Sequence, residues 1–516
     1  MAHSVGKIGW AGAAVAAALG LLTLGTLAVV LAHAEGASLG AADWAAVRFT
    51  VAQAWLSAVL SVGLAVPVAR ALARRRFAGR RLLVSLMGAP FLLPVIVAVL
   101  GLLAVFGRAG ILNQAATTLG LPPFSVYGFQ GVVLAHVFFN LPLAVRMILS
   151  GWQGIPAERF RLAAALGFGP PEVFRHLERP MLRSVLPGAV MAIFLICLTS
   201  FAVALTLGGG PRATTVELAI YQALRFDFDL GRAALLAAVQ FALCGVAVLA
   251  AGWLALPDGS GAGLDRPVVR WDARGAGLRV LDGAVIVAVA AFLLVPLSLV
   301  VARGIPGVLA LPAPVWMAAA RSVTVALIST ALCMTAALVL ALAIQRGRWG
   351  RVLEVAGMLP LAASSLVLGT GLFLIVHPLV APERVALPVT ALVNAAMALP
   401  FALRLILPEL RRIEAAHGRL ADALGLTGRA RLRWLILPRL RPALGFAAGV
   451  VAALSMGDLG VIALFAGARG ATLPLMVQQL MGAYRMEQAA GAALMLVLLS
   501  FGLFWLFDRG GRDAAV

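Results

Sequence analysis

The chain has 516 residues, of which 62% are hydrophobic and only 12% are charged, and its formal net charge is +20. A soluble domain uses about 25% charged residues, so this composition excludes an ordinary soluble protein. The positive charge does not indicate nucleic-acid binding either, because the arginines are spread over every second loop and form no single basic patch. The composition therefore predicts an all-α polytopic protein of the lipid bilayer, with no nucleic-acid partner.

Apolar runs long enough to cross a bilayer recur along the whole chain. About 20 helical residues span the hydrocarbon core, since each residue rises about 1.5 Å. The sequence predicts twelve such helices, at roughly 8–32, 49–72, 82–106, 125–150, 184–207, 231–256, 280–302, 316–344, 352–378, 385–407, 441–466 and 487–507. The first run resembles a signal peptide, but it exceeds the 7–15 residues or so of a cleaved apolar region, so we interpret it as a transmembrane helix.

The loops between these runs predict the orientation. Arginines concentrate after the second, fourth, eighth and tenth runs, for example at Arg74, Arg75, Arg76, Arg159, Arg161, Arg346, Arg348, Arg411 and Arg412. The loop after the third run has only Arg108. Because basic loops stay on the cytoplasmic side, we expect a multi-pass protein of the bacterial inner membrane with both termini in the cytoplasm.

The chain contains an internal repeat. Pro142, Arg146, Gly167 and Pro180 recur at Pro400, Arg404, Gly425 and Pro438, each 258 residues later. Upstream the offset is 271, since Gly79 matches Gly350, so the second copy lacks 13 residues of an outer loop. We therefore predict two tandem six-helix domains, 1–256 and 280–516, that face the same way through the membrane and pair about an axis along its normal. The glycine-rich, charged segment 257–279 is predicted to be a flexible, solvated cytoplasmic linker.

Two arginine-rich loops are the most informative segments. The first runs from Ile155 to Pro180 and the second from Arg419 to Pro438. Each reads as a short helix ended by a glycine, then a basic amphipathic stretch, then a proline at the entry to the next span. The spacing from glycine to proline is 13 residues in both copies (180 − 167 and 438 − 425). An amphipathic projection of this kind fits a groove on a cytoplasmic partner; the alternative is a helix lying on lipid headgroups.

These loops resemble the EAA loop of ABC importer permeases, which reads EAA, three residues, Gly, nine residues, Ile-x-Leu-Pro. Gly167 and Gly425 match the glycine, Pro180 and Pro438 the proline, and Ala163 and Ala421 an alanine. The glutamate position holds Arg161 in one copy and Arg419 in the other, so a glutamate contact to an ATPase is not carried over. Nearby Glu158 and Glu414 are the candidates to replace it.

Three stretches of the first half carry a closer resemblance. They are 124–131 (FSVYGFQG), 135–144 (AHVFFNLPLA) and 207–224 (LGGGPRATTVELAIYQAL). They are similar to the permeases of the thiamine and thiamine pyrophosphate importers of Gram-negative bacteria, a family of fused two-domain permeases. The resemblance implies two partners, a periplasmic substrate-binding protein and a cytoplasmic ABC ATPase dimer.

The sequence gives little support for a nucleotide-binding, metal or catalytic site on this chain. The only lysine, Lys7, is not in the GxxxxGK[ST] context of a phosphate-binding loop, so ATP is expected to be used by a partner subunit and no cofactor is expected on this chain. Cys197, Cys244 and Cys333 lie in apolar runs without metal-ligand spacing and are expected to be core residues, so no metal site is predicted. The six histidines are scattered and no catalytic residue is proposed; His136 is expected to be a packed, hydrogen-bonded residue.

Asp458 is the exception, because it lies inside an apolar run. An ionisable group there usually faces the bundle interior or a cavity, although an aspartate near the outer end of a span can instead be satisfied by backbone or arginine. Its counterpart in the first copy is Ser200 (458 − 258). Asp458, Ser200 and the turn residues Gly209 and Gly210 are therefore the candidates for the pathway or its gate.

The sequence thus predicts the transmembrane permease subunit of an ATP-driven ABC importer. The resemblance implies thiamine or thiamine pyrophosphate as cargo, delivered by the binding protein. The same architecture with ferric iron or another small solute is the nearest alternative. A secondary transporter is less favoured because it needs coupling acids at the bilayer midplane, where only Asp458 is found.

Overall fold

The computed structural model describes residues 2–87, 93–208, 210, 213–254, 270–273, 275–347, 349–467 and 470–513. Within these ranges the secondary structure is helical throughout, with no strand. Eleven of the described helices are long and apolar enough to cross a membrane, or twelve if one bent pair counts as a single span. The predicted all-α polytopic class is confirmed.

The long helices divide equally between the two halves of the chain. The first half contains α1 (Gly9–His33), α2 (Ala41–Arg74), α3 (Val95–Phe106), α4 (Phe129–Gln153), α5 (Pro170–Leu198) and α6 (Leu230–Leu254). The second half contains α7 (Ala276–Leu309), α8 (Ala313–Arg346), α9 (Ser365–Val376), α10 (Ala386–Ala423), α11 (Gly428–Phe465, interrupted at 457–459) and α12 (Met486–Asp513).

Shorter helices connect these spans. They are Arg80–Leu86, Ile111–Thr118, Ala157–Ala165, Ala202–Leu207 and Val216–Gln222 in the first half, and Gly350–Met358 and Leu473–Gly482 in the second. One-turn 3₁₀ helices occur at Trp271–Ala273, Leu359–Ala362 and Pro382–Val385. All three cysteines are buried and unpaired, as expected for core residues.

Several predicted boundaries are wrong. The predicted span 184–207 is one helix that begins at Pro170 and ends at Leu198, followed by the separate helix Ala202–Leu207. The predicted span 385–407 continues to Ala423 and absorbs the short helix expected before Gly425. The predicted span 352–378 bends by 87° between Gly350–Ala362 and Ser365–Val376. Hydropathy locates apolar runs, but the direction of a helix axis is set by packing, so these breaks and extensions carry no hydropathy signal.

The first helix of each half packs against the other half. Helix α1 lies against α8 and α9, and α7 lies against α2 and α3. Glycine permits close approach at these contacts, since a Cβ on Gly101 of α3 would lie 2.8 Å from the carbonyl oxygen of Pro296 in α7. Small residues at such contacts let transmembrane backbones approach each other, which is the main source of packing energy in lipid. The two sequence repeats are therefore interlocked in space.

Helix interruptions from both halves meet in the middle of the bundle. Residues 93–94 precede α3 and 199–201 follow α5; their repeat counterparts are 364–365 at the start of α9 and 457–459 within α11. Irregular backbone at membrane depth is tolerated only where protein or a cavity satisfies its polar groups. These four interruptions therefore mark the place where a site can form.

Candidate functional site

The first arginine-rich loop contains the predicted helix and its glycine. The helix Ala157–Ala165 ends at Gly167, whose φ is +70°. The N–H of Phe168 donates to the carbonyl of Ala163 at 2.9 Å and the N–H of Gly167 to that of Ala164 at 3.1 Å. This pair of hydrogen bonds is the Schellman arrangement, which needs a residue free to adopt positive φ at the glycine position.

The second loop repeats this geometry at the end of α10. Gly425 has a φ of +67°. The N–H of Leu426 donates to the carbonyl of Ala421 at 2.9 Å, and the N–H of Gly425 to that of Asp422 at 3.1 Å. Ala163 and Ala421 are both buried, so the motif alanines face the bundle.

The outer face of each loop presents two leucines that the sequence analysis did not single out. Leu162 and Leu166 are 62% and 60% exposed, and their repeat counterparts Leu420 and Leu424 are 60% and 66% exposed. Each pair is spaced i, i+4, so both leucines lie on one side of the helix. The combination of the 258-residue offset with helical spacing could have identified them. Each loop thus carries an apolar ridge on an arginine-rich surface.

The two motif prolines lie inside continuous helices, which corrects the prediction that they mark the entry to a span. Pro180 follows the π-helical turn Phe174–Glu178 in α5, and Pro438 follows the equivalent turn Leu432–Ile436 in α11. A proline removes one N–H and its ring clashes with the carbonyl four residues earlier. A π turn widens the helix at that point, so both copies accommodate the proline in the same way.

The two candidate glutamates have different environments. Glu158 is exposed at the start of the helix Ala157–Ala165. Glu414 is paired with Arg431, which also pairs with Asp422. The Glu414 carboxylate therefore stabilises its own loop through ion pairing. Glu158, in contrast, is exposed and available to a partner.

The end of the predicted linker is packed into the first loop. Glu178, which is fully buried, accepts from Arg70 at 2.8 Å and from Arg270 at 2.7 Å. Arg270 also donates to Asp272 at 2.8 Å, and Arg74 lies 3.6 Å from Asp272. Charges this well buried are tolerated only when they are paired, so this segment is held by the cluster.

Two further contacts fix the same segment. The indole N–H of Trp271 donates to the carbonyl of Phe168 at 3.0 Å, and the Arg270 guanidinium lies 4.8 Å from the centroid of the Phe160 ring. Burial opposes ionisation of Asp272, but Arg270 and Arg74 outweigh it and hold the pKa of this carboxyl below its ordinary value. The prediction of a flexible, solvated linker is therefore wrong for residues 270–273; residues 257–269 lie outside the described part of the chain.

A cavity of about 360 Å³ lies where the four helix interruptions meet. Its wall is built from residues of both halves, and many of them are related by the repeat. Such pairs are His136 and Asn394, Phe139 and Met397, Leu143 and Phe401, and Ser200 and Asp458. The cavity therefore lies on the pseudo-two-fold axis, and its size is within the range of about 300–1,000 Å³ found for small-molecule sites.

Hydrogen bonds fix the polar part of this wall. The Asn394 amide donates to the hydroxyl of Ser455 at 3.1 Å, which donates in turn to that of Ser329 at 3.0 Å. On the other side, a ring nitrogen of His136 lies 3.4 Å from the hydroxyl of Ser57. Its second ring nitrogen is buried and unpartnered in the described structure, so His136 is packed as expected but only partly satisfied.

The structure brings Ser200 and Asp458 into this one cavity. The backbone N–H groups of Gly460 and Val461 lie near the Asp458 carboxylate, and its Oδ2 atom is buried with no partner in the described part of the protein. Gly210, with a φ of +127°, lies in the loop after Ala202–Leu207 and does not belong to the cavity wall. Gly209 lies outside the described residues.

Comparison with known proteins gives relatives that span almost the whole chain. The thiamine transport system permease protein of Salmonella typhimurium is 42% identical over 91% of this chain and 90% of its own length. That of Brucella abortus is 38% identical over 98% of this chain and 95% of its own. The molybdenum transport system permease protein of Azotobacter vinelandii is 31% identical over 34% of this chain and 78% of its own. No family model matches the sequence.

Proposed function

Because the chain belongs to the family of thiamine transport system permease proteins, we propose that it is the membrane permease of an ATP-driven importer that moves thiamine into the cytoplasm. The cavity on the pseudo-two-fold axis supports this function, since it is shared by the two halves and surrounded by broken helices. Relative motion of two such halves opens a shared cavity alternately to each side of the membrane. No bond of the cargo is made or broken, and this chain has no enzymatic role in the proposal.

The observation that carries the proposal is the pair of equivalent ridges, Leu162 with Leu166 and Leu420 with Leu424. Two equivalent apolar ridges on one arginine-rich surface fit a partner that presents two equivalent grooves. A dimer of identical subunits presents the same groove twice. We propose that this partner is the cytoplasmic ATPase dimer, which hydrolyses ATP and moves the two loops. A periplasmic binding protein delivers thiamine to the opposite end of the bundle.

The proposed orientation follows from the charges. If the twelve spans alternate in direction, the arginine-rich ends of α2, α4, α8 and α10 share one side of the membrane with both termini, and this side is the cytoplasm if basic loops are retained there. The protein then lies in the bacterial inner membrane, where an importer with a periplasmic binding protein must be.

Uptake of labelled thiamine into proteoliposomes tests the function. The permease is reconstituted with its ATPase and binding protein, with and without ATP, as wild type and as Gly167→Pro and Gly425→Pro. Uptake that requires ATP and fails in both variants is the expected result, because proline cannot adopt the positive φ at these positions. ATP hydrolysis without thiamine uptake would remove the proposed cargo, and uptake driven by an ion gradient without the ATPase would overturn the class.

Co-purification tests the docking ridges separately. Leu162→Asp/Leu166→Asp and Leu420→Asp/Leu424→Asp should each weaken retention of the ATPase on the immobilised permease. Leu119→Asp/Leu121→Asp is the matched control, since it charges two exposed leucines beyond the other end of the bundle. Unchanged retention in the ridge variants would instead indicate that these leucines lie in the lipid headgroup region.

A further inference from the structure

The charges that line the central cavity are unequal between the two repeats. Position 458 is an aspartate and its counterpart, position 200, is a serine. Among the described lining residues, only His136 and Asp458 are ionisable, and neither arginine nor lysine is present. The described wall can therefore present negative charge but no fixed positive charge to a bound molecule.

The Asp458 carboxylate is only half satisfied. The N–H groups of Gly460 and Val461 are the backbone donors near it, while Oδ2 is buried without a partner in the described structure. An unpaired carboxylate away from bulk water is costly, and a nearby cation removes that cost. This unsatisfied oxygen is the second indication, besides the charge itself, that the cavity is completed by a ligand.

Three aromatic rings also line the cavity. Phe139 and Phe201 come from the first half and Phe401 from the second. The faces of aromatic rings attract cations, and their area favours a flat organic molecule. A cavity that combines one carboxylate with three phenylalanine rings suits an organic cation better than a hydrated metal ion, which prefers several oxygen ligands.

We propose that Asp458 binds the positive charge of an organic cation as it passes through the cavity. This inference rests on the proposed function and sharpens it, because the thiazolium ring of thiamine carries such a charge. Ser200 marks the equivalent point on the opposite wall, so the site is asymmetric in a pseudo-symmetric cavity.

The test moves the carboxylate across the pseudo-two-fold axis. ATP-dependent thiamine uptake and binding-protein-stimulated ATP hydrolysis are measured in proteoliposomes for the wild type, Asp458→Asn, Asp458→Ser and the double variant Ser200→Asp/Asp458→Ser. Asparagine and serine both retain the ability to accept hydrogen bonds from the N–H groups of a helix start, so these substitutions remove the charge and preserve the cap. Asp508→Asn in α12 is the control for loss of an aspartate in a span away from the cavity.

The expected result is about 30-fold lower uptake in both single variants, the effect of removing one partner of a buried charge pair. Stimulated ATP hydrolysis should be retained, and uptake should return in the double variant. Wild-type uptake in both single variants would overturn the proposal, because the carboxylate would then serve only as a helix cap. Loss of uptake in all three variants would also overturn it, since position 458 would then need its carboxylate for local structure. Failure of thiamine uptake in the wild type itself would instead contradict the proposed function.

Discussion

The two arginine-rich loops have the same outer geometry and different interiors. Both place a glycine at positive φ, a π turn before a proline, and two exposed leucines on one ridge. Behind this surface, the first loop is stabilised by a buried ion cluster around Glu178, whereas the residue equivalent to Glu178 in the second loop is the buried Ile436. The repeat therefore preserves the exposed surface and the backbone turns of the two loops. The buried side chains beneath them differ: an ion cluster stabilises the first loop, whereas an apolar residue packs in the second.

The backbone also differs at one point. In the first half Pro156 separates α4 from the short helix Ala157–Ala165. Its counterpart in the second half is Glu414, and α10 continues through it without a break as far as Ala423. Proline lacks the N–H that would continue a helix, and the residue before it avoids the helical region, which accounts for the difference.

We expect the largest loss of stability when the buried Glu178 of the first loop is replaced by isoleucine, the residue at the equivalent position 436 of the second loop. Glu178→Ile removes the shared partner of Arg70 and Arg270, and among the described residues it leaves Asp272 as the one carboxylate for the buried guanidinium groups of Arg74 and Arg270. Breaking a buried ion pair in this way costs about 3–5 kcal/mol. Thermal unfolding of the detergent-solubilised protein should show a strongly lowered Tm, with Ile436→Val as the matched apolar control. An unchanged Tm would mean that the cluster does not hold the loop.

We expect a smaller loss of stability when the second loop receives the helix-breaking proline of the first, Pro156, at the equivalent position 414. Glu414→Pro places a proline inside α10 and should destabilise the protein by about 3 kcal/mol. Arg431→Ala removes the Arg431–Glu414 ion pair and the Arg431–Asp422 pair without touching the backbone, and should cost about 2 kcal/mol, the usual contribution of hydrogen bonds to charged groups. Unfolding in urea, followed by tryptophan fluorescence, would separate the two. Equal losses in both variants would show that the ion pair, and not the continuous helix, matters.

We expect the smallest loss of stability from a substitution in the linker, at Asp272, and we expect this loss to depend on pH. Asp272→Asn should cost about 2 kcal/mol near neutral pH, the usual contribution of hydrogen bonds to charged groups. The pKa of Asp272 is held below its ordinary value, so its contribution is fully present above the ordinary carboxyl range and is lost as the pH falls through the lowered pKa. The Tm difference between wild type and variant should therefore persist at neutral pH and vanish in strong acid. A difference that grows on acidification would contradict this sign.

Much of the architecture can be predicted from hydropathy and from the repeat. The spans follow from apolar runs, since the bilayer demands them, and the glycines 167 and 425 follow from helix termination, since few other residues adopt positive φ. The spacing of 258 residues also pairs Ser200 with Asp458. The burial of Arg270 and Asp272 could not be predicted, because arginine, aspartate and glycine, which recur in 257–279, are typical of solvated linkers, and only a partner such as Glu178 makes burial of such charges favourable.

The sequence by itself determined the number of spans, the repeat and the turns that end the loop helices, because these depend on local hydrophobicity and backbone conformation. Only the tertiary structure decided that α1 and α7 each cross to the other half, that helix interruptions from both halves enclose one cavity, and that Asp458 lines it. The physical reason is that a transmembrane helix is apolar on every side. Lipid is as apolar as leucine, so hydropathy does not reveal which face meets protein; close packing of small residues such as Gly101 against Pro296 selects the neighbour.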